Sequence, residues 1–368
     1  MASRSIGSST PVHGLRARTA EGGSDGRDGR TFAYVALAAL VAGCGSTAAP
    51  PDAGGSTDLG PADAGADLGP DLGDPGPPCE GPPGLYREGS CQILAEGVRF
   101  YEPRYALWSD GTEKQRFIYL PPGRQIDTSD ADRWVFPEGT RLYKNFLEDG
   151  LLLETRVFTK MADEPGIIRW RVQVFAWNAA QDAVEEAGDV VRENVLGTAH
   201  DIPDFAMCVR CHSGARDAVN GFGAILLRHD RGGVTLATLR EEGLLTNDID
   251  PALAEPPGTF DEQTVLGYLH VNCGNCHVEG AEGGETGLLT VLPVGSLTVD
   301  ATPFVQTAVG QASEWMPEIQ RVMPGAPDDS AVLLRMVAPE PPERMPPIGS
   351  EVIDATAAQT VRAWIQGL

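Results

Sequence analysis

Positive charge is the scarcest ingredient of this chain: 28 Lys and Arg stand against 52 Asp and Glu, a formal net charge of −24. A surface of that sign repels phosphate backbones, which excludes nucleic acid as a partner and favours a redox protein with a basic docking face. Cysteine is sparse as well. Seven in 368 residues are too few for a disulfide scaffold, so their grouping matters more than their number. Histidine is missing between Cys79 and His200, leaving that stretch few metal ligands. The apolar run Thr31–Gly43 is too short to cross a bilayer core of about 30 Å as a stable helix.

That run follows Arg27 and Arg30 and ends Val-Ala-Gly-Cys44, which makes residues 1–43 an export signal. Small residues before a cysteine resemble the lipobox of bacterial lipoproteins, in which the cysteine becomes the lipid-bearing N-terminus; ordinary signal cleavage with a free Cys44 is the alternative. Gly45 rather than Asp after the cysteine points to the outer membrane. The expected address is therefore the cell envelope, with the protein anchored at Cys44 and facing the periplasm. Residues 44–78 hold six aspartates, no Lys or Arg, and little apolar surface. They cannot offset chain entropy by burial and are expected to form a disordered spacer.

From residue 79 the pattern changes to short runs rich in Val, Ile, Phe, Tyr and Trp: Gln115–Leu120, Arg133–Phe136, Arg141–Phe146, Leu151–Phe158 and Ile167–Trp177, separated by PPG, PEGT, EDG and DEPG. These are strand and turn signals, and they predict an antiparallel sandwich or small barrel over residues 79–200. Cys79 and Cys91 bracket eleven residues, and in an exported protein they are expected to close a disulfide loop.

The chemistry lies in Cys208-Val-Arg-Cys211-His212 and Cys273-Gly-Asn-Cys276-His277. On one helical turn all three side chains of each motif share a face. That geometry suits covalent haem attachment, two thioethers from the cysteines with the histidine as proximal ligand to the iron. Two CxxC pairs could instead hold one structural zinc or act as redox dithiols, readings that leave both histidines unexplained. The expected cofactors are two covalently bound haem c groups, on Cys208, Cys211 and His212 and on Cys273, Cys276 and His277.

After His277 the chain passes a glycine-rich loop, then Met323, Met336 and Met345-Pro-Pro, and ends in an amphipathic helix from Asp354 with Val361, Trp364, Ile365 and Leu368 on one face. A CxxCH segment, a proline-stiffened methionine loop and a C-terminal helix resemble the cytochrome c fold. That resemblance makes Met345 the sixth ligand of the second haem, with Met323, Met336 and Met316 as alternatives. No methionine lies between His212 and Cys273, so His229 and His270 are the sixth-ligand candidates for the first haem, unless its iron stays open.

The stretches Ala106–Pro121, Trp134–Phe146, Leu153–Phe158 and Trp177–Ala183, followed by CVRCH, YLHVNCGNCH and RMPPIG, resemble in their order a family of bacterial diheme c-type cytochromes whose genes often sit beside one for a parallel β-helix protein. The resemblance spans Cys79–Leu368 and implies a cytochrome, with no partner specified. The architecture expected is α+β and multidomain: an N-terminal antiparallel β-sandwich-like domain, then two fused α-helical cytochrome c-like lobes at 201–258 and 259–368. One-electron transfer is the leading function. A peroxidase-like haem enzyme with an open first haem is the alternative, although no general acid/base pair is visible in the sequence.

Overall fold

The computed structural model describes residues 78–368 except 215 and 216, all within one compact unit. The export signal, Cys44 and nearly all of the acidic spacer lie outside the described residues. Among the described residues no helix is long and apolar enough to cross a membrane.

Six strands form a single antiparallel meander in sequence order: β1 Val98–Tyr101, β2 Glu113–Tyr119, β3 Arg141–Glu148, β4 Leu151–Lys160, β5 Trp170–Trp177 and β6 Val184–Ala187. Alternation along the strands splits their side chains between two faces. Ile118, Leu142, Phe158 and Val172 stand in one cross-strand row, and Phe117, Tyr143 and Val157 in the next row, on the opposite face. Both faces are apolar, yet neither is covered by a second sheet. The first packs against Phe222, Leu227, Leu236, Leu239, Leu245 and Ile249. The second packs against Leu85, Tyr86 and Leu94 from the loop closed by the Cys79–Cys91 disulfide, which the structure contains with Cα atoms 5.7 Å apart. Full burial of a side chain such as Ile118 or Phe136 contributes about 1.5–3 kcal/mol relative to exposure.

The expected sandwich is thus corrected to one sheet covered on both sides by irregular chain. Two of the expected runs behave differently from strands. Arg133–Phe136 makes only an isolated bridge, Val135 to Asp127, and uses Trp134 and Phe136 as core aromatics edge-on to Phe222. Ile167–Arg169 forms a 3₁₀ turn before β5 begins. Strands β1 and β6 lie at the sheet edges and were not foreseen; β6 reads VEEA, whose charges suit an edge but hide the strand signal.

The two helical lobes are also absent as such. The helices are α1 Phe205–His212, α2 Leu236–Glu241, α3 Phe260–Asn272, α4 Pro303–Ala308, α5 Ala331–Met336 and α6 Ala355–Gly367, and only α3 and α6 reach 13 residues. With 44 glycines and 29 prolines in the chain, turns and 3₁₀ segments occupy much of the rest. The region following the first motif shares its core with the sheet and does not make an independent body. The C-terminal region builds its own core, in which Leu266 and Leu269 of α3 meet Phe304, Leu333, Val361, Trp364 and Ile365. The α6 helix starts as its sequence indicates, with the Asp354 carboxylate accepting from the Ala357 N–H at 2.9 Å.

A buried ion pair fastens the chain after the first motif to the sheet. Asp217 pairs with Lys160 at the end of β4 and accepts from Trp170 Nε1 at 3.1 Å and from the Phe136 and Gly166 amides at 2.7 and 3.1 Å. Four donors satisfy this carboxylate, which is what allows it to stay buried.

Candidate functional site

The first motif lies on α1, whose N-cap Asp204 accepts from the Met207 amide at 2.9 Å. Helical geometry brings His212 to the sheet, with its ring 4.8 Å from that of Phe158. Its Nδ1 bonds to the Ala218 carbonyl at 2.6 Å, which leaves Nε2 as the free ligating nitrogen. Burial, reinforced by the nearby Lys144 and Arg156 cations, pushes the imidazole pKa down to about 4 despite that hydrogen bond, so the ring is neutral at physiological pH. Cys211 and His212 line a cavity of about 300 Å³ whose other walls include Leu142, Phe146, Arg116, Lys144 and Arg156.

The second motif departs from the helical expectation. Helix α3 ends at Asn272 with Cys273 as its C-cap, because Gly274 and Asn275 are poor helix formers. The turn nonetheless closes, the amides of Cys276 and His277 reaching the Cys273 carbonyl at 3.0 and 2.8 Å, so the motif keeps a compact turn. Cys273, Cys276 and His277 line a second cavity of about 320 Å³, together with Leu288, Trp315, Val332, Met336 and Met345. Burial holds the Cys273 thiol up at about 12 and lowers the pKa of His277, whose Nδ1 is buried without a hydrogen bond although the backbone of Leu288 and Gly283 lies near the ring. The methionine loop is pinned to α5, with the Met345 amide donating to the Arg335 carbonyl at 2.8 Å and Arg335 Nη2 donating to the Pro342 carbonyl at 2.8 Å.

The two cavities adjoin. Asn272, Pro346 and Pro347 belong to both, and the Cys211 and Cys276 thiols are near enough to share a hydrogen bond that lowers the former's pKa and raises the latter's. Gly214 permits this approach: a Cβ there would come within 1.9 Å of the Asn275 carbonyl oxygen. A two-pronged ion pair, Arg210 to Glu282 at 2.8 and 3.0 Å, clasps the two segments at the surface.

The other sequence candidates fall elsewhere. His229 uses both ring nitrogens on backbone, Nε2 toward Glu102 O at 2.7 Å and Nδ1 accepting from Arg231 N at 3.2 Å, and it does not line the first cavity. His270 is half-buried, accepts from Leu292 N at 3.1 Å, and lines a third cavity, beside Gly274 and Val291, that adjoins the first through Val219, Asn220, Val271 and Asn275. Of the alternative methionines, Met336 shares the second cavity with Met345, whereas Met323 and Met316 do not line it.

Sequence reasoning missed the cationic wall of the first cavity and the acid buried beside it. Glu154 pairs with Arg156 and accepts from His200 Nε2 at 2.8 Å. Burial alone would raise its carboxyl, but Arg156 and His200 outweigh burial and hold it at about 2. Strand alternation was the signal that could have placed Arg116, Lys144 and Arg156 on the same face as Ile118, Leu142 and Phe158.

Each motif thus sets a half-buried, neutral histidine at the wall of a cavity, with Cys273 and Cys276 lining the second and Cys211 the first, while Cys208 is buried on α1 and does not line it. Among the described residues no three His, Cys, Asp or Glu side chains converge as a metal cage. No protein-family model, no curated protein and no solved structure matches the chain. The likeness to diheme cytochromes therefore rests on the residues themselves.

Proposed function

We propose that the chain is a diheme c-type electron-transfer protein of the cell envelope, held at a membrane through Cys44 and exchanging electrons with a protein partner that presents a basic face. The observation carrying this reading is the convergence of two CxxCH motifs on adjoining cavities. A bound haem would supply one-electron Fe(III)/Fe(II) chemistry at each site. The protein's own residues do the rest. Cys208, Cys211, Cys273 and Cys276 anchor, and His212 and His277 ligate. The Ala218 carbonyl orients His212, and burial keeps both imidazoles neutral and able to ligate. Met345 supplies a soft thioether that favours the reduced ion at the second site. Leu288, Trp315, Val332 and Met336 put largely apolar surface around His277. The abutting segments at Gly214 and Asn275 set a short path between the two centres.

One observation favours a second reading, a haem enzyme with an open first site: neither His229 nor His270 lines the first cavity. The test is a pyridine haemochrome assay on full-length protein produced with the c-type maturation machinery. Two haems per chain are expected; fewer than two, or zinc retained on the cysteines, would sink the diheme reading. Two low-spin signals in electron paramagnetic resonance and no peroxide turnover would exclude the enzyme alternative.

A further inference from the structure

In a chain short of cations, three of them stand directly opposite one another on neighbouring strands. Arg116 of β2 faces Lys144 of β3, which faces Arg156 of β4. Like charges in register across strands are destabilising, and these project from the buried face that also carries Phe158 and touches His212. Only Arg156 has a carboxylate partner, Glu154. Arg116 is 5% exposed and its Nη2 is buried without a hydrogen bond. Lys144 has the Phe146 ring as its contact, 4.5 Å from Nζ. The acids that share the cavity lining do not compensate the row: Asp110 accepts from the Val352 amide at 2.9 Å, Asp201 from the Asn194 amide at 2.8 Å, and neither they nor Glu351 forms an ion pair with it. Two basic side chains without a carboxylate partner thus border the cavity of the first motif, and burial together with the neighbouring cations pushes the Lys144 amine well below its ordinary pKa, a cost that a bound anion would relieve.

We infer that the Arg116–Lys144–Arg156 row is a binding site for an oxyanion group entering the first cavity. Its ligand is either the carboxylates of the haem at Cys208 and Cys211, a case that rests on the diheme reading, or a small free oxyanion bound beside that haem. A planar guanidinium with a free edge suits a ligand offering two acceptor oxygens.

The test uses the full matured chain, its haem content fixed by pyridine haemochrome, alongside Arg116→Gln, Lys144→Gln and the charge-preserving Arg116→Lys. Each is titrated with sodium sulfate by calorimetry at low ionic strength, and each has its reduction potentials measured. Sulfate binding at one site per chain, weakened about ten- to a hundredfold in both glutamine variants and largely kept in Arg116→Lys, identifies a free oxyanion. No sulfate uptake, together with a lowered potential of one haem in both glutamine variants, identifies the haem carboxylates, because losing a nearby cation favours the more positive oxidised iron. Sulfate bound equally by all variants, or no sulfate uptake with unchanged potentials, overturns the inference. A haem count below two defeats the diheme reading separately; the sulfate isotherm of that same preparation then decides the cation row, and its absence overturns the inference.

Discussion

Around His212 the walls are strands, a row of charged side chains and a backbone carbonyl, whereas around His277 they are mainly loops, a tryptophan, leucines and two methionines, with Glu314, Arg321 and Arg335 among them. The chain on either side of the first motif is fastened to β4, by the Lys160–Asp217 ion pair and the His200–Glu154 hydrogen bond; the second hangs from α3, which is held by the apolar core it shares with α6. The same CxxCH motif is thus placed in a polar frame and in a more apolar one. Surroundings of that kind, more than the attachment motif, tune an iron centre, through axial ligation, local charge and solvent exclusion.

The largest way to break this comparison is to remove one site. Replacing Cys208 and Cys211 by alanine, or Cys273 and Cys276, is expected to lower the haemochrome count from two to one in each case; loss of both haems from either variant would show that the sites do not form independently. Met345→Ala should lower the potential of one haem, within the roughly 0.8 V span that axial ligands command, and leave the other in place, as read by a spectroscopic redox titration. An unchanged titration would pass the role to Met336, the other methionine of that cavity.

Asp217→Ala strips a buried lysine of its partner beside the first motif and should cost about 3–5 kcal/mol in urea unfolding. Acid sharpens the same contrast. Glu154 holds its proton less tightly when folded than the ordinary carboxyl near 4.5, at about 2, so its stabilisation is present above the unfolded value and is lost as pH falls through the folded one. A loss of order 3 kcal/mol toward pH 2 is expected, much reduced in Glu154→Gln, whose stability is already lower at neutral pH. The smallest effect belongs to the surface clasp: Arg210→Ala should cost under about 1 kcal/mol, less still at high salt, because both partners are solvated.

Legibility in the sequence was uneven for definite reasons. Strands β2, β3 and β4 announced themselves through alternating large residues, since a face buried on a pleated sheet imposes a period of two. The edge strand β6 did not, because VEEA has almost no apolar content. Arg133–Phe136 carried the composition of a strand but serves as core aromatics in a loop, and composition cannot tell those apart. Helical lobes were expected from the likeness of the motifs to cytochrome c. They failed because residues 218–254 had an apolar sheet face to cover, and short turns cover it without long helices.

The sequence by itself determined that each CxxCH motif gathers its two cysteines and its histidine, since residues three and four apart lie together on one local turn whatever the rest of the chain does. It also determined the Cys79–Cys91 loop and the capped terminal helix, which depend on neighbours in the chain. Only the tertiary structure decided that Cys211 meets Cys276, that Met345 shares a cavity with His277 while His229 and His270 are engaged elsewhere, and that three cations line the first site. Those are contacts between residues far apart in the chain, set by strand register and by which surfaces the core had left to bury.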